Sequence, residues 1–177
     1  MYGIVNKAIE EFVCDRFGLE TWDAILARST GAHPAFVSAL AYDDRITFDL
    51  IAAGSDVCSM PESRFMEDIG AHWAGALLER FPETMHAGSG SFETLLDSLE
   101  GMRGRILLLF PDSVPPRFSV THLRPGLSVL RYFSNRPVFA SLVHGVIRGL
   151  ARHLELQVDV ARRDDRGELV IRWSVET

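Results

Sequence analysis

The chain has 177 residues, the length of one ordinary domain or two small lobes, and is long enough to bury most of its apolar surface unaided. Apolar residues make up 47% and charged residues 24%, a composition that excludes extended disorder. The 18 basic and 24 acidic residues leave a net charge of −6, and the arginines are scattered rather than striped, which argues against gripping nucleic acid through phosphates.

The N-terminus, Met1-Tyr2-Gly3-Ile4-Val5-Asn6, leads straight into a patterned segment without a basic leader, so a cytoplasmic protein is expected. Ile4, Val5, Ala8, Ile9, Phe12 and Val13 recur at helical spacing, and Gly18 is a natural stop. A short second helix carries Trp22, Ile25 and Leu26, Pro34 lies in the connection that follows, and a third helix runs from about Thr47 to Ala53. Ser59-Met60-Pro61-Glu62 has the form of a helix start, with Ser59 as N-cap, Pro61 in the first turn and Glu62 closing a capping box. The helix it opens bears Phe65, Ile69, Trp73, Ala76 and Leu77, with His72 on the flank of that stripe.

After a break at Ala87-Gly88-Ser89-Gly90, Ser91 caps a helix whose Phe92, Leu95, Leu96, Leu99, Met102, Ile106, Leu107 and Phe110 share one face, with Arg103 inside it. Beyond Pro111, Pro115 and Pro116 the period changes to alternation, and an Arg124-Pro125-Gly126 turn joins two strands. A helix from about Pro137 to His153 separates this hairpin from a second, Leu154 to Val160 and Leu169 to Val175, turned by Asp164-Asp165-Arg166-Gly167. The expected fold class is α+β: a single domain over 1–177, with a helical lobe at about 1–60 and an α/β lobe at about 61–177 that holds a four-stranded antiparallel sheet.

Pro137 to Ile147 is the longest uncharged apolar stretch near the C-terminus and falls short of the roughly 20 residues that span a bilayer. Cys14 and Cys58 have no Cys-x-x-Cys spacing and suit reduced, structural thiols. No phosphate loop, Gly-x-Ser-x-Gly elbow or His-Glu-x-x-His helix occurs, and the six histidines and two cysteines show no zinc-ligand spacing, so no enzyme is expected.

Tyr132, Ser134 and Arg136 follow at every second position at the end of a predicted strand. In an extended segment they point the same way, and a phenol, a hydroxyl and a guanidinium make a row of donors suited to carboxylates. Together with Met1 to Asn6, Tyr42-Asp43-Asp44, Thr47 to Leu50, Phe110-Pro111, Pro116-Arg117-Phe118 and Gly126-Leu127, this block resembles the H-NOX family of heme-nitric oxide/oxygen-binding domains, over essentially the whole chain.

The resemblance implies heme b between a helical and an α/β lobe, with Tyr132, Ser134 and Arg136 on the propionates and Pro116 against the porphyrin. It implies a distal side made of Val5, Ile9, Trp73, Leu77, Leu142 and Val146, all apolar, which favours nitric oxide over dioxygen. It also implies output through a separate kinase, cyclase or chemoreceptor; the charge and the short apolar stretch themselves argue against a nucleic-acid or membrane partner. The family's ligand segment, aligned without a gap, ends on Arg103 where the family carries its iron-ligating histidine; a gapped alternative puts Glu100 there.

A guanidinium stays protonated and has donors only, so it cannot replace an imidazole lone pair. Two readings follow: a degenerate module without heme, taking no ligand or another apolar or anionic one, and a heme sensor with an unusual ligand or none. His86 and His144 are the substitute iron ligands to consider; His33, His122 and His153 have the look of loop or surface positions. Glu100, a propionate or another anion are the candidates to answer the Arg103 charge, or else the helix turns about Gly101 and Gly104 and Arg103 reaches water.

Overall fold

A computed structural model describes residues 1–30, 35–80, 91–134, 136, 139–163 and 167–175. Pro34, the Ala87 to Gly90 break, His33, His86 and the first three residues of the Asp164 turn lie outside the described residues. The architecture is α+β, with six helices and one four-stranded antiparallel sheet among the described residues. The chain forms two compact units, Met1–Ile69 and Gly70–Thr177, so the boundary falls within a helix.

The first unit holds α1 (Gly3–Phe17), α2 (Leu19–Arg28), α3 (Asp44–Val57) and the start of α4 (Glu62–Arg80). Gly18, at φ 90°, ends α1 and begins α2 in a backbone conformation that other residues rarely adopt. Ile9, Phe12, Val13, Trp22, Ile25, Leu50, Ile51 and Phe65 form the core, with Phe12 and Phe65 edge to face at 5.8 Å. The N-terminal segment is tied to the start of α3: Tyr42 donates its backbone N–H to the Met1 carbonyl at 2.7 Å, and Gly3 to that of Leu40 at 2.8 Å. Asp43 caps α3 by accepting from Arg45 N, and the Arg45 guanidinium on the same carboxylate holds its pKa down at about 2.

Ser59 is not the N-cap of α4. It takes a left-handed conformation (φ 52°) in the turn after α3, which Ser55 closes by donating its hydroxyl to the Met60 carbonyl at 2.6 Å. Pro61 consequently precedes the helix, and its carbonyl accepts the first helical bond, from Phe65 N at 2.9 Å. Proline's fixed φ suits this position as well as the first turn, so composition did not separate the two registers.

The second unit holds the rest of α4, α5 (Phe92–Leu109), β1 (Arg117–Arg124), β2 (Leu127–Phe133), α6 (Phe139–His153), β3 (Leu156–Arg162) and β4 (Glu168–Val175), in sheet order β1-β2-β4-β3. Leu130, Leu169 and Ile171 are buried on the face where Trp173 meets Phe92 of α5 at 5.1 Å. Gly126, at φ 77°, makes the tight turn between β1 and β2. Leu154 and Glu155 turn rather than extend, with Glu155 left-handed, so β3 starts two residues later than the alternation suggests. A methyl group on Gly70 would fall 2.1 Å from the Leu142 carbonyl oxygen, so this glycine lets α4 approach the α6 backbone closely.

Candidate ligand-binding site

β2 ends at Phe133, and Ser134 lies just beyond it. The row of donors is therefore not a continued strand but a local cluster. Tyr132 is buried at the strand's end, its hydroxyl hydrogen-bonded to Ser134, and the Ser134 hydroxyl accepts the Arg136 backbone N–H at 3.0 Å. Burial pushes the Tyr132 pKa up, while the Ser134 hydrogen bond and the positive charge of Arg136 pull it the other way. The Arg136 side chain crosses to the segment before β1, where Nη1 lies 3.5 Å from the Val114 carbonyl oxygen.

Arg103 reaches the next residue of that segment. α5 runs unbroken past Gly101 and Gly104, and Arg103, half-buried, donates from Nη1 to the Pro115 carbonyl at 2.8 Å. Glu100 does not answer the Arg103 charge: its carboxylate accepts the Val120 backbone N–H at 3.1 Å instead. Two guanidiniums thus sit on consecutive carbonyls beside half-buried Pro116, and the Ser113 hydroxyl next to them is enclosed without a hydrogen-bond partner among the described residues. At Arg103 the neutral carbonyl occupies one of the guanidinium's five N–H donors and leaves its charge in place.

The other expected lining residues divide between the units. Val5 and Ile9 lie on α1 in the first, half-buried and buried. Trp73 and Leu77 on α4, with Leu142 and Val146 on α6, belong to the second, where Gly70 packs on the Leu142–Val146 turn of α6. His144 is half-buried on α6, His72 half-buried on α4, and His153 exposed at the end of α6.

His122 is exposed, as expected of a surface position, but it is in a strand rather than a loop. It lies on β1, with Nε2 2.9 Å from Asp97 Oδ1 and Nδ1 2.7 Å from Ser128 Oγ. The signal was present in the sequence: Phe118, Val120 and His122 are two apart and so share the face turned to the helices. The Pro115 carbonyl had no such signal, because a backbone acceptor has no sequence signature.

The donor set suits a carboxylate at Tyr132, Ser134 and Arg136. It does not suit an iron bond at Arg103, which has no lone pair to give. Among the described residues, no three His, Cys, Asp or Glu side chains are grouped to hold a metal ion.

A family model described as Haem-NO-binding matches residues 2–162. Soluble guanylate cyclase gcy-31 of Caenorhabditis elegans is 27% identical over 156 residues, 87% of this chain and 22% of that protein. Soluble guanylate cyclase 89Db of Drosophila melanogaster is 22% identical over 158 residues, 86% of the chain and 23% of that protein. The chain therefore spans less than a quarter of the length of these relatives. Among solved structures, an H-NOX protein from S. oneidensis in the Fe(II)NO ligation state superposes with a TM-score of 0.84 at 18% identity, covering 100% of both chains. An H-NOX protein from K. algicida in the Fe(II) unliganded state gives 0.84 at 19% identity, covering 99% of this chain and 98% of that one. At these identities the superpositions establish the shared fold.

Proposed function

The chain belongs to the haem-NO-binding family, and from that premise we propose that it is a sensory or regulatory module, related to heme-based nitric oxide sensors, that does not hold heme in the family's manner. The observation that carries this reading is Arg103. In the ungapped match it takes the slot of the iron-ligating histidine, and its guanidinium donates to the Pro115 carbonyl rather than offering an electron pair. The ligand class that suits what remains is an apolar molecule with one or two carboxylates, held by Arg136, Ser134 and Tyr132 without metal coordination. Output passes to a separate signalling protein of the kinase, cyclase or chemoreceptor class, in the cytoplasm. No helix among the described residues is long and apolar enough to cross a membrane.

The Asp97, His122 and Ser128 side chains form a hydrogen-bonded chain, but Ser128 is fully buried and presents no nucleophile to a substrate.

A second reading, a heme-binding nitric oxide sensor with an unusual iron ligand or none, is favoured by the retention of Tyr132, Ser134, Arg136 and Pro116. Trp73, Leu77, Leu142 and Val146 provide no hydroxyl for bound dioxygen, and His144 or His86 would be the side chain to test as iron ligand. A visible absorption spectrum of the purified chain, before and after addition of hemin, separates the readings. The first expects no sharp Soret band; a sharp band with near-stoichiometric heme would overturn it.

A further inference from the structure

Three side chains on one ridge of α5 meet the segment from Pro115 to His122 in reverse order. Asp97 Oδ1 lies 2.9 Å from His122 Nε2, Glu100 Oε1 accepts from Val120 N at 3.1 Å, and Arg103 Nη1 donates to Pro115 O at 2.8 Å. Steps of three residues follow a ridge inclined to the helix axis and advance about 4.5 Å each, so the three contacts span about 9 Å of helix. The first contact extends into the sheet, because His122 Nδ1 lies 2.7 Å from Ser128 Oγ on β2. A carboxylate only accepts, so the neutral ring donates from Nε2–H to Asp97 and accepts the Ser128 hydroxyl hydrogen at Nδ1. The Glu100 contact covers an edge: β1 ends the sheet, and its Val120 N–H is satisfied by the helix carboxylate.

We propose that Asp97, Glu100 and Arg103 form a latch that makes α5 and the β1–β2 hairpin one conformational unit, with Arg103 as its end nearest the candidate ligand site. Sliding α5 by a single residue, about 1.5 Å, breaks all three contacts, because each depends on the same register. Packed interfaces of this kind switch between discrete arrangements rather than deform continuously. A change that draws the Arg103 guanidinium from Pro115 is therefore felt at His122 and Ser128. This inference holds whatever the ligand is.

Residue-resolved amide hydrogen exchange on the full chain tests it. Asp97→Ala and His122→Ala, both on the solvent side, are each expected to speed exchange of the Val120 amide, which the Glu100 carboxylate holds, about tenfold. The double variant should match the singles, since either change opens the same bond. Asp97→Asn keeps an acceptor for Nε2–H and should restore protection. Arg103→Gln should alter hairpin exchange in the parent and leave it unaltered in the His122→Ala background. Unchanged exchange in the single variants, additive effects in the double, or an equal Arg103→Gln effect in both backgrounds would overturn the latch.

Discussion

Thr47 donates its hydroxyl hydrogen to Asn6 Oδ1 at 2.7 Å, joining two fully buried side chains 41 residues apart. Each lies in a block that carries the family resemblance, one in α1 and one in α3, and the bond gives those blocks a physical reason to occur together. The Asn6 amide nitrogen is buried with no hydrogen-bond partner among the described residues, so the pair already carries one unmet donor. Thr47→Val would leave the Asn6 carbonyl oxygen unmet as well and should destabilise the chain by about 1–3 kcal/mol in urea denaturation. Asn6→Leu combined with Thr47→Val removes both polar groups and should recover part of that loss. A Thr47→Val chain as stable as the parent would show that the buried pair contributes nothing.

Gly101 and Gly104 stand in the interior of α5 on its exposed side, and a methyl group at either meets nothing within 4 Å. Neither glycine serves a close approach or a positive φ, so each only weakens the helix. Gly101→Ala and Gly104→Ala should each raise stability by about 0.5–1 kcal/mol, read as a higher thermal midpoint. Destabilisation by either would mean that α5 must bend at these positions in a state that the structure does not display.

The element order and the sheet were legible because periodicity reports burial: the stripe Phe92, Leu95, Leu96 and Leu99 is buried as a helix face. The Pro125-Gly126 turn was legible from turn chemistry. Ser59 was misplaced because its hydroxyl is equally suited to capping and to turning, and the Ser55 bond across the turn depends on where two helices end. At the site, residue types told which groups suit a carboxylate but not what they touch within the protein. Arg103 posed a visible problem of charge; its answer, the Pro115 carbonyl, is a backbone atom positioned by tertiary packing. His122 is exposed, as expected of a surface position, but it lies in a strand, which the alternation of Phe118 and Val120 reaches when extended by two residues.

Burial raises the Tyr132 pKa, so the folded state holds the phenolic proton more tightly than the unfolded chain, where it leaves near pH ~10. The resulting stability is complete below about pH 10 and is lost as pH rises through the raised folded value. The thermal midpoint of the parent should fall more steeply above pH ~10 than that of Tyr132→Phe, which has no proton to lose. Ser134→Ala removes an influence that lowers the pKa, so the ultraviolet titration of Tyr132 should move further up. Parallel pH profiles for the parent and Tyr132→Phe would show that the hydroxyl is not held by the fold.

Arg103→His tests the alignment and the chemistry together. The substitution breaks the bond to Pro115 and ends one latch contact, while an imidazole nitrogen supplies the lone pair that the guanidinium lacks. If Arg103 stands in the iron-ligating slot, the variant should bind hemin more tightly than the parent, give a sharper Soret band, and change its spectrum when nitric oxide is added. Arg103→Gln is the control, since it also loses the charge and the Pro115 contact as arranged but provides no ring nitrogen. Equal hemin spectra for a folded Arg103→His and Arg103→Gln would mean that α5 is aligned in the wrong register and that Arg103 does not stand in the iron-ligating slot.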